Sequence, residues 1–327
     1  MKCRKSFILV TVLLLVSVTL SACGLGAGGN YPARDITLII PFQPGGSTDP
    51  IGRQYATQLE KQLGKRKIIV ENREGGSGTV GTAATVQAKP DGYTLGLSTN
   101  AVVGLTPLTN QNLPFKETGD YQPIVKLADL PQVISVRADA PWKTFEEFIA
   151  HAKANPKQVR VATPGNRTQA DLTVHRLNKV AGTEFVTVPF TGGGGQALAA
   201  LLGGQVEAYI EYPISHKAQA DAGKVRPLVI FQKERSELLP TATPVAAAGY
   251  DVTLPAMYFI LAPKGLPKDV QDRLVNASIE AVKTPEFLKF CQENGYLPDP
   301  EGPEGLVTEL RQYRDIYADI LKTIGGQ

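Results

Sequence analysis

The sequence predicts an α/β fold in two lobes, and three observations carry that prediction. From Asp35 onward, short β-branched runs alternate with amphipathic segments of helical period. The length of 327 residues, 43% of them hydrophobic and 20% charged, provides two domains with cores of their own and excludes wholesale disorder. One phrase of strand, Pro-Phe, one residue, glycine-rich turn and helix occurs twice. It reads Ile39-Ile40-Pro41-Phe42-Gln43-Pro44-Gly45-Gly46 and then Val186-Thr187-Val188-Pro189-Phe190-Thr191-Gly192-Gly193. The copies lie about one domain length apart and would give the two lobes a pair of jaws.

Residues 36–40, all but one of them Ile or Leu, read as a buried strand, and the Pro and Gly residues of 41–47 as the turn after it. A helix over 49–63 follows, because Ile51, Tyr55, Leu59 and Leu63 recur on one face. Residues 67–70 form the next strand, 79–88 a short helix, and 93–97 a third strand introduced by the turn Lys89-Pro90-Asp91-Gly92. The second half repeats this grammar. A strand at 133–136 precedes a helix ending near 154, which opens on a capping box of Thr144 with Glu147 three residues on. Strands at 159–162, 185–188, 208–210 and 225–230 then accompany helices at 168–180 and 196–202. A last strand over 256–262 precedes helical segments at 268–282, 286–294 and 305–324. Alternation at this spacing implies a mainly parallel sheet.

The N-terminus is a leader. Lys2, Arg4 and Lys5 stand ahead of an apolar run from 7 to 20, the length of a signal-peptide h-region and too short for a comfortable membrane span. Leu20-Ser21-Ala22-Cys23 resembles a bacterial lipobox, which makes Cys23 an acylated mature N-terminus and residues 24–30 a glycine-rich tether. The alternative is ordinary cleavage after Ala22. Removing the leader takes the formal charge from +3 to zero, which leaves no basic excess for nucleic acid. Cys3 leaves with the leader, so Cys291 has no disulfide partner and reads as a buried structural thiol.

Three turns could hold an anion: Gly45-Gly46-Ser47-Thr48, Gly75-Gly76-Ser77-Gly78-Thr79, and 191–195. A glycine-rich turn entering a helix leaves N–H groups free, points the positive dipole end at a bound anion and lets it come close. Each turn alone is a plain strand-to-helix connection; three together, two of them matching across the halves, point to an anion site. Asp49 is either favourable helix N-terminal charge, worth a few tenths to about 1 kcal/mol, or a group orienting the turn amides or a bridging water.

Other chemistries lack their parts. Gly76-Ser77-Gly78-Thr79-Val80-Gly81 satisfies G-x-G-x-x-G, but Glu71-Asn72-Arg73-Glu74 separates it from the strand, and Ser98-Thr99-Asn100 ends the next strand without an acid for a ribose. There is no triphosphate-binding loop and no nucleophile elbow. His151, His175 and His216 are isolated, so no metal motif or catalytic histidine stands out, and no cofactor is expected.

The run from Tyr31 to Asp49, YPARDITLIIPFQPGGSTD, resembles the opening of the tripartite tricarboxylate transporter substrate-binding proteins, the Bug-type receptors. VENREGGSG at 70–78, PDGYTL at 90–95, LLGGQV at 201–206, LPTATP at 239–244 and APKGLP at 262–267 continue the likeness in order. The resemblance implies a two-lobed periplasmic-binding-protein fold of type II with a discontinuous first lobe and a ligand cleft between lobes. Its divisions would be a leader at 1–22, a tether at 23–30, lobe 1 at 31–128 and 254–327, and lobe 2 at 129–253. It implies an extracytoplasmic, lipid-anchored monomer that captures a small di- or tricarboxylic or aromatic acid by hinge closure and hands it to membrane permease subunits, without catalysis. It assigns Phe42, Gly45, Gly46, Ser47 and Asp49 to the ligand from the first lobe, joined by Ser98 and Asn100. From the second lobe it assigns Gly165, Arg167, Thr168, Thr191, Gly192 and Gly193. Competing readings are a secreted α/β hydrolase or transferase acting on a small acid, and a binding protein that serves a sensor.

Two places depart from the family pattern. Gly165-Asn166-Arg167-Thr168 replaces a small Gly-x-Gly-Ser/Thr turn, and Met257-Tyr258-Phe259 replaces a Trp-x-Gly pattern. An inward Arg167 would take a second carboxylate in a bidentate pair, so that a dianion would bridge the lobes.

Overall fold

A computed structural model of the chain describes residues 31–325 apart from Gly46, Lys65, Gln111, Thr191, Gly192 and Gly193. Strand β1 (Ile36–Ile40) leads through a Pro/Gly turn into α1 (Thr48–Leu63), and β2 (Ile68–Asn72), α2 (Thr79–Val86) and β3 (Thr94–Thr99) follow. A π-helical turn at Ala101–Leu105 and the single-turn helix α3 (Thr106–Thr109) precede the long strand β4 (Tyr121–Leu130). The second pass comprises β5 (Val133–Arg137), α4 (Phe145–Ala154), β6 (Arg160–Thr163), α5 (Gln169–Ala181) and β7 (Val186–Pro189). It continues through α6 (Gly194–Leu202), β8 (Ala208–Glu211), α7 (Pro213–Asp221), β9 (Val225–Ile230) and β10 (Thr243–Pro244). The chain returns in β11 (Ala256–Pro263), α8 (Lys268–Val282), α9 (Pro285–Asn294), β12 (Leu297–Pro298) and α10 (Pro303–Gly325).

The strands form two six-stranded sheets, ordered β12-β4-β11-β3-β1-β2 and β10-β9-β5-β8-β6-β7. The first sheet therefore draws on both ends of the chain and the second on its middle, which gives two lobes. Each sheet is mixed, and this corrects the expectation of mainly parallel sheets. β1 pairs in parallel with β2 and β3, whereas β11 is antiparallel to both β3 and β4. In the second sheet β6 is parallel to β7 and β8, whereas β5 is antiparallel to β8 and β9. Strands reached through a helical crossover come out parallel; β5 and β11, where the chain crosses between sheets, enter without such a crossover and run against their neighbours.

The topology also corrects the reading of the repeat. β1 and β6 occupy equivalent places, each between two parallel neighbours, so the turn after Ile40 corresponds to the turn at Pro164–Thr168. Val186–Pro189 is an edge strand like β2, and its turn corresponds to the one at Gly75–Thr79. The two Pro-Phe phrases are alike in local sequence and different in place.

Local physics accounts for the elements that shape the cleft. Ile51, Tyr55 and Leu59 of α1 are fully buried, and each such side chain contributes roughly 1.5–3 kcal/mol by leaving water. The Tyr55 hydroxyl meets Ser278 Oγ at 2.7 Å and joins α1 to α8. The capping box of α4 is present, with Thr144 Oγ1 accepting from the Glu147 N–H at 3.2 Å. One core packs on the first sheet around Leu38, Leu97, Ile124 and Ile260, and another on the second around Phe148, Val161, Val174 and Ile210. A third cluster, with Val103, Phe259 and Tyr317, takes in Leu172 of α5 and so joins the lobes behind the cleft. Among the described residues no helix is long and apolar enough to cross a membrane. The leader and Cys23 lie outside the described residues.

Candidate functional site

The turn after β1 is set by Asp49. Gly45 has φ +83°, a conformation that glycine adopts without strain, and its N–H donates to Asp49 Oδ2 at 3.3 Å. Asp49 also accepts from Arg53 Nε at 2.9 Å and from Asn72 Nδ2 at 2.9 Å, and the Asn72 amide reaches the Phe42 carbonyl at 2.9 Å. Burial works to raise the Asp49 pKa, but the bonds from Arg53, Asn72 and Gly45 outweigh it and hold the carboxyl below its usual range. Two buried tyrosines pin the other end of the turn. Tyr258 donates to Ser47 Oγ at 3.0 Å, and the Tyr296 hydroxyl donates to the Ser47 carbonyl. Burial pushes Tyr258 up to about 12, so it remains a neutral donor at physiological pH.

The equivalent turn of the second lobe, before α5, is built by Thr168. Its hydroxyl donates to the Gly165 carbonyl and accepts from the Asp171 N–H at 3.3 Å, an N-cap bond. Between the two turns opens a cavity of about 550 Å³. Gly45, Ser47, Pro50, Asn294 and Tyr296 line it from the first lobe; Pro164, Thr168, Gly194, Glu211, Tyr212 and Ser215 line it from the second. No Lys, Arg or His is among its described lining residues. The volume is that of a site for a small organic molecule.

The expected site residues divide accordingly. Gly45, Ser47 and Thr168 line the cavity. Gly46, Thr191, Gly192 and Gly193 lie outside the described residues. Phe42 packs against the third core cluster and holds the turn from beneath through its carbonyl. Asp49 is buried behind the turn and acts on it rather than on the cavity. Ser98 is buried within the sheet, with its hydroxyl against Thr82 Oγ1 at 3.2 Å. Asn100 is a strap: its side chain donates to the Pro255 carbonyl at 3.0 Å and accepts from the Met257 N–H at 3.1 Å, which fixes the returning chain. Gly165 supports Thr168 through its carbonyl.

Arg167 is exposed and is not among the described residues that line the cavity. Its backbone has φ +53°, and its N–H donates to Asp171 Oδ2 at 2.8 Å. The turn at Gly75–Thr79 is also absent from the lining. A Cβ on Gly78 would stand 2.8 Å from the Phe42 ring and 2.9 Å from Val102, so this glycine serves close packing beneath the first turn.

Glu211, Tyr212, Ser215, Asn294 and Tyr296 line the cavity without having carried a sequence signal. They come from the ends of β8 and α9 and the start of α7, where no motif marks them. The histidines are structural. His216 is buried, with Nδ1 2.6 Å from Ser135 Oγ and Nε2 3.2 Å from the Glu211 carbonyl, and burial lowers its pKa to about 3. His151 packs on Trp142, and His175 lies 3.9 Å from Asp171. Cys291 is buried, and burial raises its thiol to about 12.

Comparison with known proteins agrees with the two-lobed fold. Residues 51–303 match the family model described as tripartite tricarboxylate transporter family receptor. BugT of Bordetella pertussis is 30% identical over 326 residues, covering 97% of this chain and 98% of its own. A TctC solute-binding protein from Polaromonas, solved without ligand, superposes with a TM-score of 0.77 at 27% identity, over 90% of this chain and all of its own. MatC from Rhodopseudomonas palustris, solved with bound malate, does so with a TM-score of 0.73 at 26% identity, over 89% of this chain and all of its own.

Proposed function

The chain belongs to the tripartite tricarboxylate transporter receptor family, a family of extracytoplasmic solute-binding receptors rather than enzymes, and on that premise we propose that its cleft captures a small carboxylate. The observation that carries the reading is the convergence of two strand-to-helix turns, at Gly45–Ser47 and Pro164–Thr168, on one cavity of about 550 Å³. The positive ends of two helices suit a carboxylate, and the malate bound by MatC supports that ligand class. The first turn, with Gly46 in it, holds the acid; the second lobe closes over it by motion about the two chain crossings, between β4 and β5 and between β10 and β11. The closed receptor then presents its cargo to the permease subunits.

Native mass spectrometry of freshly purified protein would identify a co-purified acid. Adding that acid raises Tm as RT ln(1 + [L]/Kd) requires, with the acid recovered unchanged. Turnover of the acid, or no acid that stabilises the protein, would overturn the reading. The enzyme alternative finds no support in the family match, which is to transporter receptors. Cys23 is the anchor in this proposal, with three acyl chains holding the receptor at the membrane surface. Cys23→Ala then moves the protein from the membrane fraction to the soluble one; persistent membrane association of the variant together with no lipid mass on the wild type would rule the anchor out.

A further inference from the structure

Resting on the carboxylate reading, one feature of the cleft narrows the ligand. Glu211 closes β8, is 8% exposed, and lines the second-lobe wall of the cavity. Its Oε1 accepts from the Tyr212 N–H at 3.0 Å. Its Oε2 lies so close to Gly194 that a Cβ there would stand 2.5 Å away, so the glycine makes room for the carboxylate at the cavity edge. Among the described residues no Lys, Arg or His forms an ion pair with Glu211, and none lines the cavity. The titratable groups around it are the phenols of Tyr209, Tyr212 and Tyr258, which charge only at alkaline pH, and the neutral imidazole of His216 beneath its carbonyl. A buried carboxylate without a cation is costly, and a dicarboxylate drawn into the same space would add like charge to it. The first-lobe turn on the opposite wall leads into the N-terminus of α1, whose positive dipole end suits an anion.

We propose that Glu211 selects the far end of the ligand, and that the cargo is a small acid with an ammonium group at the end remote from its carboxylate. The carboxylate sits on the Gly45–Ser47 turn and the ammonium on Glu211, so the ligand supplies the countercharge that the protein omits. Burial already raises the Glu211 carboxyl to about 7. Near neutral pH an arriving ammonium would therefore displace a proton from part of the population.

Calorimetry with chain-matched pairs tests this: 4-aminobutyrate against succinate, and 6-aminohexanoate against adipate. In the wild-type protein the amino acid of at least one pair is expected to bind tenfold or more tightly than its diacid. Glu211→Gln keeps the size and one acceptor, and should bring that ratio to one or below. A second readout is independent of the variant's folding. At pH 7, binding of the amino acid to wild type releases protons, seen as an observed heat that changes with the ionisation heat of the buffer. Diacids that bind as tightly as their amino partners, a ratio unmoved in a folded Glu211→Gln, or binding without proton release would each overturn the inference and leave the carboxylate reading standing. If no acid of any kind binds, the carboxylate reading itself fails.

Discussion

Asp49 shows how a carboxylate can shape the proposed anion site without facing the cavity. Four hydrogen bonds converge on it, from the Gly45 amide, Asn72 and two from Arg53, and they orient the turn that lines the cleft. Bonds to a charged group contribute about 1.5–3 kcal/mol, so Asp49→Ala should lower unfolding free energy by about that amount and weaken ligand binding as the turn loosens. Urea denaturation and calorimetry read the two effects. The sign of the pH dependence follows from the depressed pKa. The stabilisation is present above the ordinary carboxylate value of 3.8 and is lost as pH falls through the lower folded value. The wild-type and variant stabilities should therefore converge in acid; a gap that stays constant from pH 7 down to acid unfolding would show that the charge is irrelevant. Glu211 runs the other way. Its carboxyl is raised, so its contribution is greatest in acid and declines as pH rises toward 7.

Among the elements, α5 and α10 form the strap behind the cleft. Gln169 at the start of α5 donates to the Leu254 carbonyl at 2.7 Å, while its Oε1 accepts from the Tyr317 hydroxyl of α10 at 2.7 Å. Tyr317 is fully buried, so Tyr317→Phe leaves Gln169 Oε1 without this donor and should cost about 1–3 kcal/mol in chemical denaturation. A loss well below 1 kcal/mol would mean that the bond carries no weight. The outer pair, Lys179 with Asp319, is half exposed on both sides and should contribute little. Most elements were legible because their apolar spacing is plain, as in β1 and α1. β4 was not. Pro123 and Lys126 interrupt its pattern, yet Lys126 is fully buried, with its ammonium 2.7 Å from Asp299, 2.8 Å from Glu309 and 3.0 Å from Asp129. Those three carboxylates come from two other segments and its own strand, and nothing local announces them. α7 escaped for a different reason: only Pro213 and His216 of its nine residues are buried, too few to mark a face. At the site, Gly45 and Ser47 were readable from turn chemistry and Thr168 only through the family resemblance, whereas Glu211 and Tyr296 reach the cavity only through tertiary folding.

At the scale of the whole molecule, the proposed closure depends on both walls of the cleft. Each sheet has its own core, and the lobes are joined by two chain crossings and by the third cluster behind the cleft. In the proposed closure they would move about that side while their interiors stay packed. A ligand shifts such an equilibrium only by its differential affinity for the two states, and moving it from 1:99 to 99:1 takes about 5.5 kcal/mol. Acetate has one carboxylate and no second polar end to offer the opposite wall. It gains the same contact open or closed and has no means of driving closure. An acid with a second polar end gains that end's contact with the second lobe only when the lobes approach. Small-angle scattering should accordingly show the radius of gyration falling with a saturating bifunctional acid and staying constant with saturating acetate. Equal compaction with both would place the driving contacts within one turn, and closure would then be a response to the carboxylate alone rather than to a ligand held from both sides.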